Sequence, residues 1–271
     1  MTRGRDPEER GEHFLESVER TVRVLESFDP EHPHRTLSEV AAATGINRAV
    51  VRRVLLTLVD LGLLTLTGRR FAPAPRMLDL GFTYLANLGL PAYAQPYLAE
   101  LSREIGETVA LAVLDGDDVR YVGRADAPRL VGFVVPVGAR SPAHVTSAGR
   151  LLLSLLPPAD LDRYLEQVEL VRYTEWTVTD PALLRGQLRE ARDRGWSHSN
   201  SEFDVGMEGV AVVVPGGTTP VALSAVFPVT RFAPADLERT VVAPLRRCAD
   251  RIADRGHGGT RAPGISRPPT P

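Results

Sequence analysis

Leu37-Ser-Glu-Val-Ala-Ala-Ala-Thr-Gly-Ile-Asn-Arg-Ala-Val-Val-Arg-Arg-Val-Leu-Leu56 is the stretch on which the reading of this chain turns. With Thr36 before it, Thr36-x-x-Glu39 forms a capping box: the hydroxyl and the carboxylate each satisfy a backbone amide left free where a helix begins. The helix that follows is short, because Gly45 after Thr44 offers the left-handed backbone of a sharp turn. Asn47 then caps a further helix, in which Val51, Val54, Leu55, Leu58 and Leu61 share one face until Gly62 stops it. A small Ala41 where two helices cross, Gly45 in the turn, and Val51 and Val54 where the second helix packs back meet the steric demands of a helix-turn-helix.

Working outward, Phe14, Val18, Val22 and Leu25 recur at helical spacing and predict a first helix, which Asp29-Pro30 and Pro33 terminate. Downstream, the apolar runs Leu63–Leu66 and Phe71–Ala72 flank Thr67-Gly-Arg-Arg70, which reads as strand, basic turn and return strand, the shape of a wing. What the Asn47-capped helix leaves outside its apolar stripe is polar and basic, with Arg48 and Arg52 one turn apart. Such a helix can enter a major groove with its arginines on guanine edges or phosphates. Between Arg35 and Arg70 six arginines (35, 48, 52, 53, 69, 70) face two acids, Glu39 and Asp60, leaving a local charge of +4 in a chain whose total is −2. A basic patch on an otherwise acidic protein is the footprint of nucleic-acid binding; the competing reading is a small helical bundle with a solvated arginine face. The residues assigned to double-stranded DNA are Thr36, Ser38, Asn47, Arg48, Val51, Arg52, Arg53, Arg69 and Arg70.

Composition closes several enzyme classes. All 32 Lys-plus-Arg positions of the 271 residues are arginine, so the chemistry of a lysine amine, a phosphate-loop lysine or a kinase lysine has no side chain to carry it. Cys248 is the one cysteine and reads as an unreactive thiol in a helix. Of six histidines only His144 and His198 fall inside the second domain, with no metal-type spacing and no nucleophile elbow. No catalytic residue, metal or cofactor is expected. The apolar runs are too short to span a bilayer, and the charged N-terminus does not read as a signal peptide, so a cytoplasmic protein without membrane partners is expected.

The expected organisation is a disordered segment at 1–12, a DNA-binding domain at 13–74, a linker helix at 75–91, a second domain at 92–255 and a disordered tail at 256–271. Met77, Leu80, Gly81, Tyr84, Leu85 and Leu88 give the linker an apolar stripe ending at Gly89, and Pro91 starts another helix with Ala94, Leu98, Leu101 and Ile105 apolar. The linker stripe has two possible partners, its own chain or the same helix of a second subunit. Beyond it, strands are expected at Val109–Leu114, Val119–Gly123, Leu130–Val137, Trp196–Ser199, Gly209–Val214 and Val221–Phe227. Helices are expected at Ala148–Leu156, Pro158–Leu165, Pro181–Arg194 and Pro234 to about Asp254, giving an α/β domain on a mainly antiparallel sheet.

From about Phe14 to Ala253 the chain resembles an IclR-type transcriptional regulator. The matching segments are Val18-Glu-Arg20 with Val24-Leu25, the helix-turn-helix of Leu37–Leu64, Val137-Gly138 followed by His144-Val-Thr-Ser-Ala-Gly-Arg150-Leu-Leu, Thr177-Val-Thr-Asp180, Arg194-Gly-Trp196 and Pro228-Val-Thr-Arg231. The run Arg76–Pro96, with Leu88-Gly-Leu-Pro91 and Gln95-Pro96, is similar to the branch governing catabolism of aromatic acids such as protocatechuate and hydroxybenzoate. The resemblance implies an α+β chain: an N-terminal winged helix-turn-helix, a linker helix and a C-terminal GAF-like effector-binding domain, assembled as a homodimer or a dimer of dimers. It implies a pocket for a small organic acid lined by Tyr121, Arg124, Ser147, Ala148, Gly149, Ser199, Glu202 and Ser224. There a Ser-Ala-Gly helix start suits an anion and Arg124 could grip a carboxylate. Two alternatives stay open: Arg124 pairs with Asp126 or Glu202 instead, and Ser147 only caps its helix. Gly206-Met-Glu208-Gly209 departs from the family, where a basic residue usually stands at the position of Glu208, which is expected near the pocket. Rival functions are a DNA-binding protein whose second domain only oligomerises and, more remotely, a small-molecule enzyme.

Overall fold

A computed structural model describes residues 11, 13–29, 31–87, 94–127 and 136–258. The chain divides into two compact units, Met1–Tyr84 and Leu85–Pro271.

The first unit contains α1 (Glu16–Glu26), β1 (Arg35–Thr36), α2 (Leu37–Thr44), α3 (Arg48–Asp60), β2 (Leu64–Thr67) and β3 (Arg70–Pro73), followed by α4 (Met77–Asn87). The capping box is present: Glu39 N donates to Thr36 Oγ1 at 3.3 Å and Thr36 N to Glu39 Oε2 at 2.6 Å. Gly45 takes φ +67°, and Asn47 Oδ1 accepts from Ala49 N at 2.8 Å, so α2 stops and α3 starts as the side chains dictate. Val24, Val40, Val51, Leu55, Leu58, Leu64 and Phe71 form the core of this unit. The wing hairpin β2–β3 closes through Gly68-Arg69, with Gly68 at φ +62°, and β1 adds a third strand beside β3 that the sequence pattern did not announce.

Two helical faces differ from expectation. In α1 the buried residue is Val24, with Leu25 and Phe28 packed beside it, whereas Val18 and Val22 are 56% and 45% exposed and Phe14 lies outside the helix. Of the expected stripe, Leu25 packs on this core while Val18 and Val22 do not. Leu61, counted on the buried face of α3, is 51% exposed because the helix ends at Asp60 and the chain turns away. In α4, Leu78, Leu80 and Tyr84 are exposed. The expected stop at Gly89 and the start at Pro91 lie outside the described residues.

The second unit is a six-stranded antiparallel sheet in the order β6-β5-β4-β9-β8-β7. Its strands are β4 (Thr108–Asp115), β5 (Asp118–Ala125), β6 (Arg140–Pro142), β7 (Trp196–Asn200), β8 (Met207–Val214) and β9 (Val221–Pro228). On one face α5 (Ala94–Ile105) and α9 (Ala243–Gly258) bury Leu98, Leu101, Leu245 and Ile252 against Val210, Val212, Leu223 and Phe227. On the other, α6 (Ser147–Ser154), α7 (Pro158–Gln167) and α8 (Pro181–Arg194) cover Ala110, Ala112, Ala211 and Ala222. The small residues of that second face let α6 lie close to the sheet. The expected strand Leu130–Val137 falls mostly outside the described residues, while Val137 is in a turn and the strand seen is β6. The last helix is not one piece: a 3-10 turn at Pro234–Asp236 and a π-turn at Glu238–Val242 precede α9. Pro244 accounts for the π-turn, since it lacks an N–H and its ring crowds the carbonyl four residues back, so the helix widens there. Helix α9 continues through Gly258, so the tail expected to be disordered from residue 256 begins as helix.

Candidate functional site

In the first unit the Asn47 cap fixes where α3 begins and therefore which way its arginines face. Arg48, Arg52 and Arg53 on α3 and Arg69 at the wing turn are exposed, and they form no ion pair among the described residues. An exposed guanidinium without a protein partner keeps its charge for a phosphate or its fork for a guanine edge. Arg70 is partly committed, 4.0 Å from Glu39 Oε2 and 3.5 Å from His34 O. Thr36, Ser38 and Asn47 lie at the starts of α2 and α3, where Thr36 and Asn47 spend their side-chain acceptors on caps. Val51 is corrected: it is fully buried in the core and presents nothing to a ligand. The apolar periodicity of α3 already held that signal.

In the second unit a cavity of about 40 Å³ lies between the sheet and the start of α6. Tyr121, Ser147, Ala148, Ser199, Glu202 and Ser224 all line it, together with Val145, Thr146, Phe203, Asp204, Met207, Val226 and the backbone around Gly209. Register explains the convergence. Ser224 sits opposite Ala110 and Ala211, and Ser199 opposite Gly209, so their side chains share the α6 face of the sheet. A Cβ on Gly209 would come within 2.8 Å of Ser147 Oγ and 3.0 Å of Ser199 Oγ, so glycine there keeps the cavity open. Thr146 rather than Ser147 is the cap of α6, accepting from Gly149 N at 3.2 Å, which leaves the Ser147 hydroxyl on the cavity wall. Burial raises the Tyr121 phenol pKa, partly offset by its hydrogen bond with Ser141, so at neutral pH it stays protonated.

Two assignments change, and the surroundings of Glu208 become clear. Gly149 is not on the cavity wall; a Cβ there would meet Ala143 O at 2.2 Å, so its role is close packing of α6 on the preceding turn. Arg124 pairs with Asp126 and is not among the lining residues, although register places it in one row with Ala110 and Ser224 on the cavity face. Its side chain is 11% exposed while that of Asp126 is 67% exposed. Glu208 borders the cavity in β8, but strand alternation turns its side chain to the opposite face from Gly209, where it hydrogen-bonds His198. The departure at Glu208 therefore stands at the cavity as expected, with its carboxylate engaged by His198.

The wall of the cavity is fixed by a pair that sequence reasoning did not join. Arg150 on α6 grips both carboxylate oxygens of Glu202, with side chains 4% and 8% exposed, and Arg150 Nε donates to His144 O at 2.7 Å. Thr177 Oγ1 donates to Glu202 O at 2.7 Å and Thr174 Oγ1 to Ser201 O at 2.7 Å, so the loop before α8 clasps the loop that carries Glu202. Only the Gly-Arg150 motif and the Thr177-x-Thr-Asp180 motif stood out in the sequence; their meeting is long-range.

His144 is buried, with Nε2 3.1 Å from Val171 O and Nδ1 without a hydrogen-bond partner. Desolvation lowers its pKa below the ordinary value, with the Arg150 charge adding to the effect. A group held neutral in this way stabilises the fold fully above its unfolded pKa of about 6.5, and that contribution is lost as pH falls through the lower folded value. The melting temperature is expected to drop on acidification below about pH 6.5, and a His144→Gln variant to lose part of that slope; equal slopes in both proteins would refute it. Cys248 is buried, its thiol pushed up to about 11 by desolvation, which leaves little thiolate for reaction.

Among the described residues no cluster of His, Cys, Asp or Glu could hold a metal ion, and no helix is long and apolar enough to cross a membrane. Comparison with known proteins gives two family matches: the IclR helix-turn-helix domain over residues 17–68, and the bacterial transcriptional regulator IclR C-terminal domain over residues 82–254. The Pca regulon regulatory protein of Pseudomonas putida is 34% identical over 241 residues, spanning 88% of this chain and 82% of the relative. The p-hydroxybenzoate hydroxylase transcriptional activator of Acinetobacter baylyi is 31% identical, over 90% of this chain and 92% of the relative. A crystal structure of an IclR homolog from Microbacterium hydrocarbonoxydans complexed with 4-hydroxybenzoate matches with a TM-score of 0.80 at 27% identity, over 90% of this chain and 100% of that one.

Proposed function

This chain belongs to the IclR family of bacterial transcriptional regulators, and from that premise we propose that it binds a double-stranded operator as a dimer or a dimer of dimers and changes its grip when a small aromatic acid enters the α6 cavity. The observation that carries the first half is the capped α3 with Arg48, Arg52 and Arg53 exposed and, among the described residues, without ion pairs. The exposed apolar residues Leu78, Leu80 and Tyr84 of α4 support pairing of that helix with a second copy, which suits twofold reading of an operator. An effector that binds one arrangement of the assembly better than another shifts the population, and the coupling is reciprocal. No catalytic role is part of this reading.

For the effector, the hydroxyls of Tyr121, Ser147, Ser199 and Ser224 offer hydrogen bonds around an aromatic ring, and the start of α6 offers backbone amides to a carboxylate. Arg124 stands on the same face with a mostly buried guanidinium held by an exposed Asp126, so an effector carboxylate can replace Asp126 as its partner at little desolvation cost. The relative solved with 4-hydroxybenzoate supports a hydroxylated aromatic acid. At about 40 Å³ the cavity is far below the roughly 300 Å³ usual for a ligand site, so its walls must open on binding. Met207 is the wall residue best suited to yield, being unbranched and flexible.

Calorimetric titration of the whole protein with 4-hydroxybenzoate, protocatechuate and benzoate tests this. At least one is expected to bind, Arg124→Ala is expected to weaken it roughly tenfold or more, and Asp126→Asn to strengthen it. Absence of binding by every acid would favour a domain that only oligomerises, and wild-type affinity in Arg124→Ala would remove the arginine from the site.

A further inference from the structure

A second cavity, of about 280 Å³, opens between α8 and the outer edge of β7, separate from the α6 cavity but sharing Glu202 as a wall residue. Gln187, Glu190 and Arg194 line it from α8 at spacings of three and four, which places them on one face of that helix. Its floor is the buried Arg150–Glu202 pair. Opposite, β7 is the last strand of the sheet and among the described residues pairs only with β8, so its outer row of backbone N–H and C=O groups is turned to this side.

The polar groups here are of both kinds. Glu190 makes no hydrogen bond or ion pair among the described residues, and Gln187 Oε1 is buried without a partner. Arg194 is pinned, its guanidinium 3.9 Å over the Trp196 ring and its Nε donating to Trp196 O at 2.7 Å, which leaves its terminal nitrogens for a ligand. A strand edge that alternates donor and acceptor, flanked by one acid and one fixed guanidinium, matches a molecule carrying an ammonium and a carboxylate on neighbouring atoms. We propose that this cavity is a second small-molecule site, for a free α-amino acid. Its ammonium meets Glu190 and the Gln187 carbonyl, its carboxylate meets Arg194, and its backbone-like atoms lie along the edge of β7. The volume suits a small or medium side chain.

The test is calorimetry on the full chain with the twenty L-amino acids one at a time, with ethylamine and propionate as single-charge controls. At least one amino acid is expected to bind and neither control to do so. Glu190→Gln and Arg194→Gln, both exposed helix positions that the fold tolerates, are each expected to weaken binding roughly tenfold or more. Val226→Phe on β9, which narrows the α6 cavity away from β7, is expected to leave amino-acid binding unchanged. The proposal fails if no amino acid binds, if Glu190→Gln and Arg194→Gln bind like the wild type, or if Val226→Phe abolishes binding. Absence of aromatic-acid binding to the wild type, with amino-acid binding kept, would instead overturn only the reading of the α6 cavity.

Discussion

Replacing Arg48 and Arg52 together by alanine is expected to cost about 1 to 3 kcal/mol per side chain that reads a base, so operator affinity should fall by at least roughly 30-fold and discrimination among operator variants should relax. Both side chains are exposed and, among the described residues, without ion pairs on the first two turns of α3, so their removal leaves the fold intact while stripping the surface proposed to face the groove. Arg69→Ala at the wing turn provides the contrast. A phosphate contact carries no sequence information, so all sequences should weaken alike and the slope of affinity against salt should flatten by about one unit. Electrophoretic shift or anisotropy assays over a salt series measure both. A double variant that binds operator as the wild type does would show that α3 is not the reading helix.

The second large effect is expected at Arg150 and Glu202. Removing one partner of a buried pair strands the other charge, at a cost of about 3 to 5 kcal/mol, whereas replacing both by apolar side chains of similar volume is often neutral. Arg150→Met alone should therefore lower the melting temperature by roughly 6 to 20 °C, at about 2 to 4 °C per kcal/mol for a unit of this size. Arg150→Met with Glu202→Leu should recover a large part of that loss. The recovery is the informative reading, because the guanidinium also donates to His144 O and the pair anchors the loop of Thr174 and Thr177. If the double variant is as unstable as the single one, the pair is held for that network rather than by its own charges.

The sequence made the local devices of the fold readable and left the long-range ones hidden. Thr36, Glu39, Gly45 and Asn47 act on backbone groups within three or four residues of themselves, so the spacing alone defines α2, the turn and α3. The faces of α1 and Leu61 went astray because periodicity says that a stripe exists, not which neighbour covers it. In the α6 cavity, the serines and Tyr121 were reached through resemblance, and strand register shows why they converge. Arg124 and Gly149 were reached through the same resemblance; the pairing of Arg124 with Asp126 was one of the alternatives left open, whereas the crowding of Gly149 by Ala143 does not follow from spacing. Glu208 does stand at the cavity, as its place in sequence suggested, while the hydrogen bond of its carboxylate to His198 was not legible there.

The pairing of β4 with β9 carries a consequence for how the chain is made. Ser224 Oγ donates to Ala110 O across 114 positions, and the middle of the sheet is thus built from the first and last strands of its unit. During synthesis the first unit, whose strands and helices contact near neighbours in sequence, can fold as it leaves the ribosome. The sheet of the second must wait until Val221–Pro228 has emerged, with β4 and β5 meanwhile a hairpin lacking its central neighbour. A chain interrupted before β9 would therefore carry a finished helix-turn-helix head on an unfinished second unit, and release of such fragments is a hazard that quality control in the cell has to meet.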